Sequence, residues 1–391
     1  MNIVIMGAPD HGKSTLIGKL LLHTNTIPLD RVDAVRKEFG GDFQLAHITD
    51  SLREEREQSM TMDTAVIPMG DHMLIDTPGQ RRFISSALTG ATKADLAILL
   101  VSWNEVLSGI PAYTMKLARI IEILCIPHVI VVATMADIGY DPKLLDDART
   151  RIYEVLFFLP VMYDDVLYTS VEDGWSWTID NLLSKIASAS HRASSRCTRF
   201  LCQGCYRGDI ALGSVESGHL KVGGTYLQSL YAQRVTVKGI YIGGKAVEAA
   251  GAGAQVAIRT STPLRRGDIL SVDSSPIESS YFLCNIIWLG NEKLRTEDQY
   301  DITIGYRTVP GEIKVSHVLN PVSGKKEVGE YISWGDIGGT WIMAQGKERF
   351  VYDPPSESTA LSRIVIEDEG VVVGAGVVVG AGVVAEAGVV T

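Results

Sequence analysis

The sequence predicts an α/β domain, a mostly parallel sheet with helices on both faces, followed by two all-β barrel domains. Two observations carry this. Over roughly the first 185 residues, short apolar runs alternate with helical periodicities, the mark of parallel strands joined by crossover helices. Beyond that stretch helical periodicity stops. Short alternating segments set off by Gly and Asp turns replace it, as in Gly213-Ser-Val-Glu-Ser-Gly-His-Leu-Lys-Val-Gly223.

Taken in order, Asn2–Met6 is an uncharged apolar run and reads as a first buried strand. Met73–Ile75, Leu96–Val101 and His128–Ala133 read the same way. Ser14–Leu22 and Tyr113–Leu124 carry helical spacing. The run from Ala187 to Arg196 is small, polar and mildly basic, as a connecting segment should be. A second change of composition near Ser274–Ser280 divides the β region. The expected boundaries are therefore 1–186 for the α/β domain, 187–196 for the linker, 197–275 and 276–376 for the barrels, and 377–391 for a tail.

From Gly370 onward the sequence repeats Gly-Val-Val with a period of six. Hexapeptide repeats can build a β-helix, but so few turns would bury too little to stand alone. The expectation is the last strand of the final barrel continued by a low-complexity extension, whose valine content makes it an aggregation hazard.

Composition narrows the function classes. The 391 residues leave room for two or three domains, and 46% hydrophobic content is enough for sizeable cores. A net charge of −10, from 36 basic and 46 acidic residues, argues against a surface dedicated to nucleic acid, although not against a local basic patch. The N-terminus lacks a basic region before its apolar run and reads as a strand and not as a signal peptide. The 16 nearly uncharged residues Gly370–Ala385 are too few and too weakly apolar for a membrane span. Five cysteines, an odd number, fit a reducing cytoplasm. Cys202-Gln-Gly-Cys205 has zinc-like spacing but no matching second pair. It reads as ordinary strand or turn cysteines ahead of a metal or redox site.

The chemistry is concentrated in Gly7-Ala8-Pro9-Asp10-His11-Gly12-Lys13-Ser14, with Thr15 in the first helical turn. The pattern Gly-x4-Gly-Lys-Ser, between an apolar strand and a helix, is that of a phosphate-binding loop. Its glycines let backbone N–H groups close around phosphates, and the helix N-terminus adds its positive end. Lys13 would neutralise β and γ oxygens as a point charge, and the Ser14 hydroxyl would ligate Mg2+. Asp76-Thr77-Pro78-Gly79 follows the strand Met73–Ile75 and supplies the second Mg2+ carboxylate, Asp76. Gly79 offers a backbone N–H to the γ-phosphate and tolerates the backbone swing between nucleotide states.

Between these motifs lies Glu55-Arg-Glu-Gln-Ser-Met-Thr61, which resembles the Glu-Arg-x-x-Gly-Ile-Thr first switch of translation-factor GTPases. The resemblance implies GTP as ligand, and it implies that Thr61 closes on Mg2+ when the γ-phosphate is present. The sequence departs from the pattern at three places. Ser59-Met60 replaces Gly-Ile. Gln80 stands where these GTPases place the His that positions the attacking water. Either the Gln80 amide orients that water, or the hydrolytic step is weakened or lost. The base-recognition motif Asn-Lys-x-Asp reads Thr134-Met135-Ala136-Asp137. Asp137 keeps the acceptor for the guanine N1–H and amine, while Thr134 shortens the amide that ties the base loop to the phosphate loop. Met135 retains an apolar stem over the ring but no ammonium. Thr169-Ser170-Val171 occupies the place of the Ser-Ala turn beside the guanine carbonyl.

Longer stretches resemble the large GTPase subunit of the heterodimeric bacterial sulfate adenylyltransferase. They include Thr89-Gly-Ala-Thr-Lys-Ala-Asp-Leu-Ala-Ile-Leu-Leu, Tyr206-Arg-Gly-Asp, Arg265-Arg-Gly-Asp-Ile-Leu and Gln299-Tyr-Asp-Ile-Thr-Ile. Asp10-His11 is the elongation-factor wording, where that subunit more often carries two acids. The resemblance implies a cytoplasmic GTP-hydrolysing subunit that drives adenylyl transfer to sulfate in an ATP-pyrophosphatase-type partner, with neither membrane nor nucleic acid as partner. Two other readings stay open: a GTP-binding scaffold with little turnover, and an elongation-factor-like GTPase that binds aminoacyl-tRNA.

Overall fold

The computed structural model describes residues 1–40, 44–45, 47–49, 65–70, 72–77, 84–136, 145–156, 159, 166–168, 176–190, 197–206, 208–272, 274–295, 298–319 and 326–380. The chain divides into two compact units, Met1–Arg192 and Ala193–Thr391.

In the first unit the described elements run β1 (Asn2–Gly7), α1 (Lys13–His23), α2 (Leu29–Phe39), β2 (Ala65–Met69), β3 (His72–Asp76), α3 (Ile84–Thr92) and β4 (Leu96–Ser102). They continue with α4 (Trp103–Ser108), α5 (Ala112–Ile123), β5 (His128–Thr134), α6 (Leu145–Val155), β6 (Val166–Tyr168) and α7 (Ser176–Ser190). The six strands form one sheet in the order β2-β3-β1-β4-β5-β6. Every pairing is parallel except the β2–β3 hairpin. The predicted strands are all present.

The central strands read as unbroken apolar runs because helices cover both faces of such a sheet. Ile3 to Met6 and Leu96 to Val101 have no exposed surface. On one face α1 presents Leu16, Ile17, Leu20 and Leu21, and α7 presents Ile179, Leu182 and Ile186. These helical spacings of three and four pack against Ile3, Ile5, Leu74 and Ile98 of the sheet. Helix α7 runs through Ser190, so residues 187–190 of the expected linker are helical.

The second unit contains two closed antiparallel barrels. In the first, Thr225–Gln228, Ile269–Val272, Thr198–Tyr206, Ile210–Ser217, Gln255–Thr260 and Gln233–Ile242 pair in turn, and the last returns to the first. In the second, Asp298–Ile304, Arg363–Asp368, Val371–Gly380, Tyr281–Trp288, Ile337–Ala344 and Arg307–Leu319 close in the same way. Closure removes the free edges that an open sheet would expose.

The last barrel strand extends to Gly380, so Val377–Gly380, expected in the tail, belong to the barrel. This strand lies between Tyr281–Trp288 and Arg363–Asp368. Gly376 is required by that crowding, since a Cβ on it would collide with the Asn285 carbonyl oxygen.

The barrels are joined by a buried ion pair. Arg199, in the first strand of one barrel, donates from Nε and Nη2 to the two carboxylate oxygens of Asp353 in the other, at 2.8 and 3.1 Å. Its Nη1 donates to the carbonyls of Thr198 and Ser274. Both side chains are buried, at 0% and 1% exposure.

Cys202 and Cys205 lie in the strand Thr198–Tyr206, the first buried and the second exposed. Among the described residues no cluster of His, Cys, Asp or Glu could hold a metal ion. Burial pushes the Cys202 thiol up to about 11, offset only in part by a backbone hydrogen bond at Gly204. Because the thiolate is the reactive form, Cys202 stays protonated and inert at neutral pH. Alkylation of the native protein at pH 7.5 should label Cys205 and spare Cys202. Peptide mapping that finds equal labelling would contradict the buried strand.

Candidate nucleotide-binding site

The phosphate loop spans the seven-residue path from the end of β1 to the start of α1, at the carboxyl edge of the sheet. There β1 has β3 on one side and β4 on the other, with crossovers leaving in opposite directions. Such a switch point opens a crevice, where ligands of α/β sheets bind.

Each loop glycine has a geometric reason. Gly7 pairs with Leu100 of β4, and a Cβ on it would stand 3.0 Å from the Leu100 Cβ and 3.2 Å from the Leu100 carbonyl oxygen. Gly12 caps α1 in the left-handed region, at φ 76° and ψ 22°. A side chain is strained there, and a Cβ would point towards the Thr134 methyl at 4.0 Å. Asp10 is also left-handed, at φ 61°. The cap residue of α1, Gly12, carries no side chain, and the N–H groups of the helix's first turn point out of an end whose dipole favours an anion.

Lys13 is buried, and its ammonium donates to the carbonyls of Gly7 and Ala8 at 2.9 and 2.7 Å. The loop thus folds over its own cation. His11 is buried as well. One ring nitrogen lies 3.3 Å from the Leu100 carbonyl oxygen and the other 3.0 Å from a carboxylate oxygen of Glu105, in the first turn of α4.

Asp76 is fully buried at the end of β3, in register with Ile5 of β1. The next residue, Thr77, donates its hydroxyl to the Ile5 carbonyl at 2.8 Å, which pins the exit of β3 to β1. Thr49 donates to the carbonyl of Ser14 at 2.9 Å. Thr134 ends β5 and is buried, with its hydroxyl 3.4 Å from the Val101 carbonyl. Met135 follows in a left-handed conformation, at φ 58°.

The structure therefore gathers Gly7, Ala8, Gly12, Lys13 and Thr134 at one edge, with Pro9, Asp10, His11, Ser14 and Thr15 in the same connection and Asp76 one strand away. Thr61, Gly79, Gln80, Asp137, Ser170 and Val171 lie outside the described residues. Thr49 and Glu105 were not legible in the sequence. Neither sits in a spacing motif, and Glu105 reaches His11 across 94 positions.

A mixed sheet with this loop between its first strand and first helix defines a P-loop nucleotide-binding domain. The chain belongs to the family of the elongation factor Tu GTP-binding domain, whose model matches residues 1–221, and it is a translation-factor-type GTPase. It is similar to sulfate adenylyltransferase subunit 1 of Shewanella woodyi, with 27% identity over 96% of this chain and 86% of that protein. It is about equally similar to elongation factor 1-alpha of Picrophilus torridus, with 26% identity over 96% of each. Among solved structures, a bacterial selenocysteine-specific elongation factor shares the fold, with a TM-score of 0.54 and 22% identity over 96% of this chain. This chain spans 58% of that one. No helix among the described residues is long and apolar enough to cross a membrane.

Proposed function

We propose that the protein is the GTP-hydrolysing regulatory subunit of a sulfate adenylyltransferase, acting in the cytoplasm with a separate ATP-pyrophosphatase-type catalytic subunit. The observation that carries this reading is the match to sulfate adenylyltransferase subunit 1 along nearly the whole chain, barrels included. The net charge of −10 adds to it, because a tRNA-binding surface would favour basic residues.

The donor set suits the nucleotide and metal. Ser14, Thr61 and Asp76 offer only oxygen ligands, the preference of Mg2+. When bound, the metal neutralises charge on the β and γ oxygens. Lys13 holds those oxygens, and the first-turn N–H groups of α1 orient them. Gln80 orients the attacking water. Asp137 selects guanine, with Thr134, Met135, Ser170 and Val171 shaping the base pocket.

Forming adenosine 5′-phosphosulfate from ATP and sulfate is strongly uphill. GTP hydrolysis can drive it only through an element with two states that both sites bias. Thr61 and Gly79, which respond to the γ-phosphate, fill that role.

A second reading has its own support: the elongation factor 1-alpha match extends over 96% of each chain. Affinity purification from the native cell, followed by a turnover assay with ATP, GTP and sulfate, separates the two. Recovery of an ATP-pyrophosphatase-like subunit and sulfate-dependent GTP turnover is the expected result. Recovery of aminoacyl-tRNA or ribosomes would replace this reading with the elongation-factor one. Retained GTP binding with no turnover in the complex would leave a scaffold subunit.

A further inference from the structure

We propose that Glu105 is a positioning residue for the phosphate loop, acting through His11 to slow nucleotide release. The inference needs only the GTP-binding domain and is independent of any sulfate-activating partner.

Among the described residues, three contacts tie the loop segment Gly7–His11 to β4 and the first turn of α4. Gly7 packs so closely against Leu100 that a Cβ there would force its neighbour to shift. The His11 ring bridges the Leu100 carbonyl at 3.3 Å and the Glu105 carboxylate at 3.0 Å. By contrast, the approach from β5 is apolar: a Cβ built on Gly12 would stand 4.0 Å from the Thr134 methyl and Cβ, and the Thr134 hydroxyl is turned to Val101. Among the described residues, the polar side-chain contacts of His11 thus run to β4 and α4 and not to β5.

Glu105 is well placed to make its part of these contacts. It stands in the first turn of a helix, where the backbone dipole favours a carboxylate. Its neighbours Trp103 and Val106 are buried, which fixes the helix on the sheet. Its side chain is 19% exposed, so the hydrogen bond to the buried imidazole is largely shielded from water. The bond crosses from a rigid strand–helix junction to the middle of the loop, two residues before Lys13.

The test is the rate at which a fluorescent GDP analogue leaves the full-length protein. Glu105→Ala should speed release about tenfold, with association little changed, as expected for loss of one shielded charge-assisted hydrogen bond. Glu105→Gln keeps an oxygen and an N–H at the same reach and should restore release to within about threefold of the parent. Val106→Ala is the control for general loosening of α4. It removes core packing beside Glu105 and should lower the thermal midpoint without changing release. An unchanged rate in Glu105→Ala would overturn the proposal. So would a Val106→Ala variant that releases the analogue as fast as Glu105→Ala.

Discussion

Replacing Lys13 by Ala should reduce GTP affinity by roughly 10²–10⁴-fold, because two hydrogen bonds from a charged group contribute about 1.5–3 kcal/mol each. The ammonium is buried and already faces into the loop on the Gly7 and Ala8 carbonyls. It can exchange those carbonyls for phosphate oxygens by a small movement, without the cost of ordering a long flexible side chain from solvent. Arg is no substitute, since its planar fork cannot sit in a cavity shaped for a point charge. Lys13→Arg should therefore bind almost as weakly as Lys13→Ala. Isothermal titration with GTP checks both, with circular dichroism to establish that each variant is folded. Affinity within about tenfold of the parent in folded Lys13→Ala would remove Lys13 from the phosphate site.

Replacing Arg199 by Met should destabilise the two-barrel unit by about 3–5 kcal/mol, the cost of leaving a buried charge without its partner. Asp353 is 1% exposed and accepts two hydrogen bonds from the guanidinium, so water cannot take the place of Arg199. Removing both charges is a different matter. Arg199→Met with Asp353→Leu fills the same volume with apolar groups and should recover most of the loss. Urea unfolding followed by tryptophan fluorescence reads the effect, because Trp288 is buried in the second barrel. A single variant within about 1 kcal/mol of the parent would make the pair equivalent to a surface salt bridge.

What the sequence made legible followed from strong local signals. The central strands announced themselves because both faces are covered, leaving runs such as Leu96–Val101 built only of Leu, Ala, Ile and Val. The placement of the phosphate-loop motif between a strand and a helix was legible from its spacing. Gly7 and Gly12 proved necessary for different reasons, a close strand approach and a left-handed cap.

Weak signals misplaced two boundaries. Ala187-Ser-Ala-Ser looks like a linker because it is small and polar, yet Ala and Ser sit comfortably in a last helical turn, and Ala189 packs on the core of the first unit. In Val371–Gly380, the five residues from Gly374 to Val378 are buried in succession. A strand pressed on both sides has no alternation to betray it. The His11–Glu105 contact was beyond sequence reasoning altogether, since it joins residues brought together only by the parallel pairing of β1 with β4. Ser14 lies in the first turn of α1, Thr134 at the end of β5 and Asp76 at the end of β3.

The crowded last strand has a consequence at the level of heredity. Its Gly-Val-Val-Val-Gly-Ala unit is followed by a second copy and then by a third, altered one. Tandem units of this kind are prone to slippage when the gene is copied. Loss of the unit 376–381 would slide Gly382 into the slot now held by Gly376, where only glycine clears the Asn285 carbonyl. Val383 and Val384 would follow into the places of Val377 and Val378. The first altered positions would be the exposed Val379, replaced by Ala385, and Gly380 at the strand's end, replaced by Glu386, so the chain can shorten by six residues here while the buried Gly374 and the glycine slot at 376 stay in register.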